Sequence, residues 1–498
     1  MAEFKKLATL KTAADFRARL RELGADFDLV DEPRRGADSA FSKPCEYYSK
    51  ATGTRRAIRN RWALLPMEGW DCLPNGAPSE LARRRWLRNA ESGAAIFFGC
   101  EAVAVMPTAK ANARQMTLTK DTVGAIARLR EETVARAVDL FGADGAPWIG
   151  LQLTHSGRFV KTPDDKRLAS RTAYAHPLLD KKFHCDASAV LTDAEVEEIV
   201  AHFVETGGLA REAGFDFVDV KCAHGYLGHE FLTAYDRAGK YGGSFENRTR
   251  FFREIVEGIR RVAPDLDVAV RLSLGDMAPF EKGTDGVGKP MFWDFDANGR
   301  YPYAFNGDGT GLDFDPEMKE LLQFVDLLDE LGISMIGTTF GSPYYNPHTQ
   351  RPAAFAVSDG YLPPEDPLLG VARQLRATRA LKERRPNLFL IGAGYSYLQE
   401  YLPLVGEWVL STGGADAIGL GRSILSYPQM AADYMSGRGL DKRRICRTFG
   451  DCTNAPRAGF VSGCYPLDDF YRDGAEGAPF RDFKRLSTVS GTQSGKKG

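Results

Sequence analysis

Apolar residues recur along the chain in two alternating rhythms. Short runs of four to eight apolar or β-branched residues read as buried strands, centred on Arg61–Pro66, Ala95–Val105, Trp148–Leu153, Phe215–Val220, Val268–Leu272, Ser334–Thr339, Leu388–Ile391 and Ala415–Leu420. Between them lie longer stretches with helical spacing. In NRTRFFREIVEGIRRVAP, Phe251, Phe252, Ile255, Val256 and Ile259 form one stripe. TDAEVEEIVAHFVETGGLAREAG opens on the capping residue Thr192 and closes at Gly214, and PEMKELLQFVDLLDELG closes at Gly332. Strand and helix in regular alternation predict an α/β protein with a parallel sheet, and eight such units predict a closed (β/α)8 TIM barrel. A doubly wound open sheet in two domains is the alternative. In a barrel, chemistry gathers at the carboxyl ends of the strands.

The barrel accounts for residues 56–435. Residues 1–55 form an N-terminal extension with a helix at Ala13–Leu23 and a charged, Pro/Gly-rich connection. Residues 277–314 form a long loop after the fifth strand, placed where a lid or substrate wall would be, with a structural flap as the alternative. Residues 436–485 form a C-terminal extension packed on the barrel, and 486–498, LSTVSGTQSGKKG, read as disordered.

The chain has 498 residues, 43% hydrophobic and 26% charged, with a formal net charge of −1, a soluble globular profile without the basic excess of a nucleic-acid-binding surface. The amino terminus has no signal-peptide core. The longest apolar stretch, Gly93 to Pro107, is broken by Glu101 and is too short to span a bilayer. Eight cysteines in a chain of this length make no dense disulfide framework, so a reducing cytoplasm is expected, and homo-oligomerisation is left open.

Polar residues then crowd the strand ends. VDVKCAHGYLGHEFL places Lys221, Cys222, His224 and Tyr226 at the tip of the fourth strand. Arg271 interrupts the apolar run of the fifth, and a buried arginine needs an anionic or strongly accepting partner. The last two strands end in LIGAGYS and AIGLGRSIL, where glycine turns with Arg422 alongside resemble the phosphate site of a barrel. A phosphate clamp at one end and a polar ring contact at the other suit flavin mononucleotide.

The block HGYLGHEFLTAYDRAGKYGGSFENRTRF closely resembles the Old Yellow Enzyme family of flavin-dependent oxidoreductases, and PM, QLTHSGR and GADAIGLGRSIL follow in the family's order over roughly residues 55–435. The resemblance implies non-covalent FMN, with NADH or NADPH as reductant, and a small unsaturated carbonyl compound as substrate. By matching position, Pro66, Met67 and Ala102 contact the flavin, Gln152 meets its pyrimidine edge, and Arg271 sits near N1 and O2. Gly392, Gly394, Gly421 and Arg422 hold the phosphate. Lys221 and His224 occupy the positions that hydrogen-bond the substrate oxygen, and Tyr226 the position of the proton donor. The implied reaction is reduction of an activated C=C bond. A flavin-dependent amine dehydrogenase or demethylase on the same barrel and a non-catalytic redox sensor are the alternatives.

The chain departs from the family in several places. Lys221 replaces the usual first histidine, which favours an acidic substrate group, a depressed lysine pKa, or a pair with an acid. Glu68 stands at the flavin edge where relatives carry Thr or Cys, and it is the acid available for that pair. Tyr344, Tyr345 and His348 in GSPYYNPHTQRP are candidate substrate-wall residues. Cys446, Cys452 and Cys464 read C-x5-C-x11-C. Iron–sulfur relatives carry a tight C-x2-C-x3-C run and a fourth thiolate, both missing here, so no cluster and no metal is expected.

Overall fold

A computed structural model describes residues 4–164, 167–292, 299–355 and 360–493. Eight parallel strands close into a barrel: β1 (Trp62–Leu64), β2 (in two pieces, Ile96–Phe97 and Ala102–Ala104), β3 (Trp148–Thr154), β4 (Phe217–Cys222), β5 (Asp267–Ser273), β6 (Met335–Thr339), β7 (Phe389–Gly392) and β8 (Ala417–Leu420). Each pairs with its sequence neighbours, and β8 closes on β1 through Leu420 opposite Leu64. The expected strands are all present. The run Ala95–Val105 is split, because Gly99 and Cys100 leave the ladder between its two pieces.

The strands are buried on both faces, as β/α strands must be. Along β4, Val218, Val220 and Cys222 face the surrounding helices, with Val268, Val270 and Leu272 of β5 beside them. The alternate positions face the interior, where Phe217, Ala269, Met335, Phe389 and Ile391 fill the lower layers. Higher up, the same inward face carries Asp219, Lys221 and Arg271. Their strands are adjacent, with Gln152 opposite Asp219 and Lys221 opposite Arg271. The period of two and the register alone therefore bring four polar side chains to one end of the barrel.

The helices start where their caps require. Thr192 and Glu195 form a capping box on Asp193–Glu212, Ser244 caps Phe245–Val262, and a second box, Thr12 with Asp15, starts the helix Ala13–Leu23. The connection after that helix is more than a linker. Cys45–Tyr48 pairs antiparallel with Arg55–Ile58. This hairpin closes the lower end of the barrel, with Tyr47 packed on Trp148 and Phe389 and its hydroxyl donating to Asp267 at 2.6 Å.

Two expectations need correction. The loop after β5 holds a short hairpin, Phe280–Lys282 with Gly288–Pro290, and its apolar residues Ala278, Met291, Tyr301 and Ala304 pack together with Leu178. None of its described residues lines the cavity at the strand ends, so they act as a flap over the flank; residues 293–298 lie outside the described residues. The tail is helical where disorder was expected. A helix runs Gly477–Gln493, its first turns anchored by Phe480 in a cluster with Ala455, Tyr465 and Tyr471, and residues 494–498 lie outside the described residues. No helix among the described residues is long and apolar enough to cross a membrane.

Candidate active site

A cavity of about 260 Å³ opens at the carboxyl ends of the strands. Its wall includes Pro66, Met67 and Glu68 after β1, Ala102 of β2, Gln152 of β3, Lys221, His224 and Tyr226 of β4 and its turn, and Arg271 of β5. Tyr344, Gly394, Gly421 and Arg422 complete the residues expected from the sequence. Gly392 is the exception. It ends β7 in register with Ile418, and the hydroxyl of Tyr395 lies 2.7 Å from where a Cβ would stand, so it is packed beneath the wall. Of the other two aromatic candidates, Tyr345 donates to Asp276 at 2.6 Å and His348 shares a hydrogen bond with Tyr361 at 2.8 Å; both are structural contacts away from the cavity.

Glu68 is the hub of the floor. One carboxylate oxygen lies 2.9 Å from the Lys221 ammonium. The other accepts from the Tyr226 hydroxyl at 2.7 Å and from the Trp70 indole at 3.2 Å. Of the arrangements open to Lys221, the pair with Glu68 is formed, and burial still leaves the lysine pKa below its ordinary value, so two of the options hold together. The ammonium also sits 3.5 Å from the centroid of the Tyr226 ring. Burial pushes the Lys221 pKa down, while Glu68 and Asp219 pull it back up. Burial, then the charge of Glu68, pushes the Tyr226 phenol well above its ordinary value, so it stays protonated. The chain of hydroxyls continues to Tyr344, 2.9 Å from Tyr226, whose ring stacks on Phe159 at 3.8 Å.

His224 lies in the left-handed region at φ 68°, followed by Gly225 at φ 74°. A non-glycine residue there is strained, and such strain concentrates at working sites. The turn is fastened by Ser342, which donates to the His224 carbonyl at 2.8 Å, and by the Gly225 N–H on the His229 ring at 2.9 Å. It delivers the imidazole to the cavity, with Nε2 at 3.1 Å from Thr339 and 3.2 Å from Gln350. Burial, reinforced by Lys221 and Arg271, holds the His224 pKa well below 6.5, so the ring is neutral.

Asp219 accepts from Gln152 at 2.7 Å and from the Arg271 backbone N–H at 2.8 Å. Burial lifts its pKa to about 7. The Arg271 side chain is almost fully buried, and its Nε has no hydrogen-bond partner among the described residues. Burial brings its pKa down to about 10, against the pull of Asp219. A buried guanidinium with an unmade bond, at a cavity wall, asks for an acceptor from a bound molecule. At the other end of the cavity, Gly394 adopts φ 92°, and a Cβ on Gly421 would meet nothing within 4 Å. With Ser396 and Arg422 these make an open, cationic cradle. The donor set fits FMN: acceptor-seeking groups at the β3–β5 end and an anion cradle at the β7–β8 end.

Several wall residues were not anticipated. Arg85 pairs with Asp71 at 2.8 Å and Glu101 at 2.6 Å, and burial raises the Glu101 pKa to about 7. Its place on the buried stripe Ala82, Arg85, Trp86, Asn89 was a readable signal. Gln350 and Arg351 come from the segment after β6, and Cys452, Thr453, Pro456, Arg457 and Ser462 from the C-terminal extension. Nothing in the hydrophobic pattern announces these. Among the described residues, no group of three or more His, Cys, Asp or Glu side chains is placed to hold a metal ion.

Residues 52–293 match the model of the NADH:flavin oxidoreductase / NADH oxidase family. The chain is 32% identical over 188 residues to an NADPH dehydrogenase of Bacillus velezensis, covering 37% of this chain and 50% of that protein. It is 32% identical over 225 residues to an NADPH dehydrogenase of a Geobacillus species, covering 45% and 61%. The matched part of the chain thus spans half to three-fifths of these relatives' length. A solved structure of morphinone reductase in complex with tetrahydroNAD has the same fold, with a TM-score of 0.53 at 19% identity over 82% of this chain and 92% of that one. Residues 52–293, just under half of the 498-residue chain, thus carry the similarity to the NADH:flavin oxidoreductase / NADH oxidase family, on a barrel shared with morphinone reductase.

Proposed function

We infer that the protein binds FMN, takes reducing equivalents from NADH or NADPH, and reduces the activated C=C bond of an α,β-unsaturated carbonyl or enoate compound. The observation that carries this reading is the turn after β4. It brings a neutral imidazole, His224, and a protonated phenol, Tyr226, to the cavity that also holds the unsatisfied Arg271 guanidinium. Alkene reduction needs a donor for the carbonyl oxygen and a proton for the α-carbon, and these two side chains supply both chemistries.

FMN, when bound, supplies hydride transfer from nicotinamide to the alkene β-carbon. Arg271, Gln152, Pro66, Met67 and Ala102 would hold its ring, with Glu68 at the ring's edge, and Gly394, Gly421 and Arg422 its phosphate. His224 would donate to the substrate oxygen through Nδ1, with the Gln350 amide donating to Nε2 and Thr339 beside it fixing the ring. Lys221 is a positioning residue: tied to Glu68, it sets the carboxylate that holds Tyr226, and its charge over the phenol ring would steady the phenolate left when the proton departs. Tyr344, hydrogen-bonded to Tyr226, would form the substrate wall and the next link for reprotonation.

The test is anaerobic reduction of the holoenzyme with NADH or NADPH, then reoxidation by a panel of enones, enoates and amines. Rapid reoxidation by the alkenes supports the reading. Reduction of the flavin by amines with no response to alkenes would replace it with an amine dehydrogenase.

A further inference from the structure

The turn after β1 carries Glu68 into the cavity, and Asp71, Arg85 and Glu101 hold that turn from behind. Asp71 and Glu101 are fully buried, and Arg85 nearly so. The Arg85 guanidinium, on the helix Glu80–Ala90, takes both carboxylates at once. Its Nε and Nη2 meet Asp71 at 3.0 and 2.8 Å, and Nη2 also meets Glu101 at 2.6 Å. The second oxygen of Glu101 accepts from the Gly69 N–H at 2.8 Å, which belongs to the peptide joining Glu68 to Gly69. The trio therefore grips the chain on both sides of Trp70, through Gly69 before it and Asp71 after it.

The gripped segment is one that would not hold its shape alone. Trp70 lies in the left-handed region at φ 51°, where a non-glycine residue is strained. Its ring packs against the cluster that includes Phe159 and Tyr226. Its indole donates to the same Glu68 oxygen that the Tyr226 hydroxyl uses. Gly69 is required by close approach, since a Cβ there would stand 1.9 Å from Arg85 Nη2. One line of contacts thus runs from Arg85 through Glu101 and the Gly69 N–H to Glu68, and from Glu68 to Lys221 and Tyr226. Neither Asp71 nor Glu101 lines the cavity, so an effect of either on the reaction passes through the turn.

We propose that Glu101, seated by Arg85, is a positioning residue for alkene reduction that acts through Glu68, fixing the carboxylate to which Tyr226 and Lys221 are bound. This rests on the reading of the cavity as a C=C-reducing site. A general acid works only within hydrogen-bond reach of its target, and a misplacement of about one ångström can cost on the order of 10²-fold. Glu101 holds the peptide next to Glu68 with a charge-assisted bond, which a neutral side chain replaces only weakly.

The test is a double-mutant cycle on the FMN-loaded protein, comparing the parent, Glu101→Gln, Glu68→Gln and the double variant. Stopped flow reads reduction by NADH or NADPH and reoxidation by cyclohex-2-enone, at about pH 8.5, where Glu101 is ionised. Glu101→Gln should slow reoxidation by roughly tenfold to hundredfold and leave flavin content and the nicotinamide half-reaction within about twofold of the parent. In the Glu68→Gln background the same change should slow reoxidation by less than about twofold, because the group it acts through is gone. Gly69→Ala, which drives the Arg85 guanidinium off the turn from the other side, carries the same cycle if Glu101→Gln loses its flavin. Equal slowing in both backgrounds would overturn the proposal, since Glu101 would then act on the barrel at large. So would an unchanged reoxidation rate in Glu101→Gln, or equal slowing of the two half-reactions. If the parent is not reoxidised by any alkene, the reduction reading falls, and hydrogen–deuterium exchange over residues 66–72 judges the clamp by itself. Faster exchange confined to that segment in Glu101→Gln keeps Glu101 as the residue that holds Glu68; unchanged exchange removes it.

Discussion

The floor and the roof of the cavity are built on different principles. The floor, from the ends of β1, β3, β4 and β5, is buried and held by short bonds of 2.7–2.9 Å in two groups, Asp219 with Gln152 and Glu68 with Lys221 and Tyr226. The roof, from the segment after β6 and the C-terminal extension, is half-buried and rests on a few anchors. The main one is Arg84, which grips Asp468 with two bonds of 2.9 Å and lies 4.2 Å from the Phe470 ring centroid. The next residue, Arg85, enters the buried network beneath, so one helical turn serves both layers. A rigid floor suits the groups that must be aimed within tenths of an ångström at a cofactor. A separately anchored roof can set which substrates enter without disturbing that aim.

The sharpest break in this comparison should come from Tyr226→Phe. The ring and its packing remain, and the proton donor is lost. Reoxidation by the alkene should slow by roughly 10²–10⁴-fold, while reduction by NADH or NADPH stays nearly unchanged. Stopped-flow traces of the two half-reactions decide it; equal slowing of both would make the phenol part of the scaffold only.

Lys221→Met tests the lattice itself. It strands the Glu68 carboxylate, whose side chain is only 10% exposed, without its cation. Breaking such a pair typically costs about 3–5 kcal/mol, so melting temperature and flavin content should fall together. Adding Glu68→Gln should return much of the stability, because the stranded charge is gone. A stable Lys221→Met protein that loses only alkene reduction would instead make Lys221 a direct donor to substrate.

Arg271→Gln should weaken FMN retention by roughly tenfold to hundredfold, the scale of one charge-assisted contact. Arg422→Gln should do likewise from the phosphate end. Retention of flavin fluorescence through dialysis measures both. Full retention in both variants would displace the cofactor from the site drawn above.

The floor was legible because its geometry follows from short-range rules. A strand alternates with period two, neighbouring strands pair in register, and barrel chemistry sits at strand ends, so Gln152, Lys221 and Arg271 could be grouped before any coordinates. The Lys221–Glu68 pair could be named as one option but not chosen, since it joins residues 153 positions apart through side-chain reach. The roof follows no period. Arg457 is brought over Tyr344 by the packing of Ala455, Tyr465, Tyr471 and Phe480, a cluster without strand or long-helix rhythm. The loop after β5 misled for the same reason: its position suggested a lid, while its apolar residues found a partner surface around Leu178.

A local test of the roof is Arg84→Ala. Loss of the bidentate pair and the ring contact should loosen residues 436–485, read as faster limited proteolysis there, with FMN still bound and the nicotinamide half-reaction intact. Loss of flavin along with the roof would show the two layers to be one unit.

The smallest effect is expected from the thiols of the roof. Cys452 lines the cavity, and burial pushes the thiol pKa values of Cys446 and Cys464 upward, partly against the charge of Arg422 in the case of Cys446. A raised pKa keeps a thiol protonated and a poor nucleophile or metal ligand. No disulfide joins any of the eight cysteines, and cluster ligation ordinarily takes four thiolates where this segment offers three. Serine is close to isosteric, so Cys446→Ser and Cys452→Ser should each hold flavin content and both half-reactions within about twofold of the parent, well under the 1.4 kcal/mol that marks a tenfold change. Iron and sulfide assays on anaerobically purified protein complete the test. Stoichiometric iron and sulfide, lost together with activity in either variant, would make the roof a redox partner of the floor.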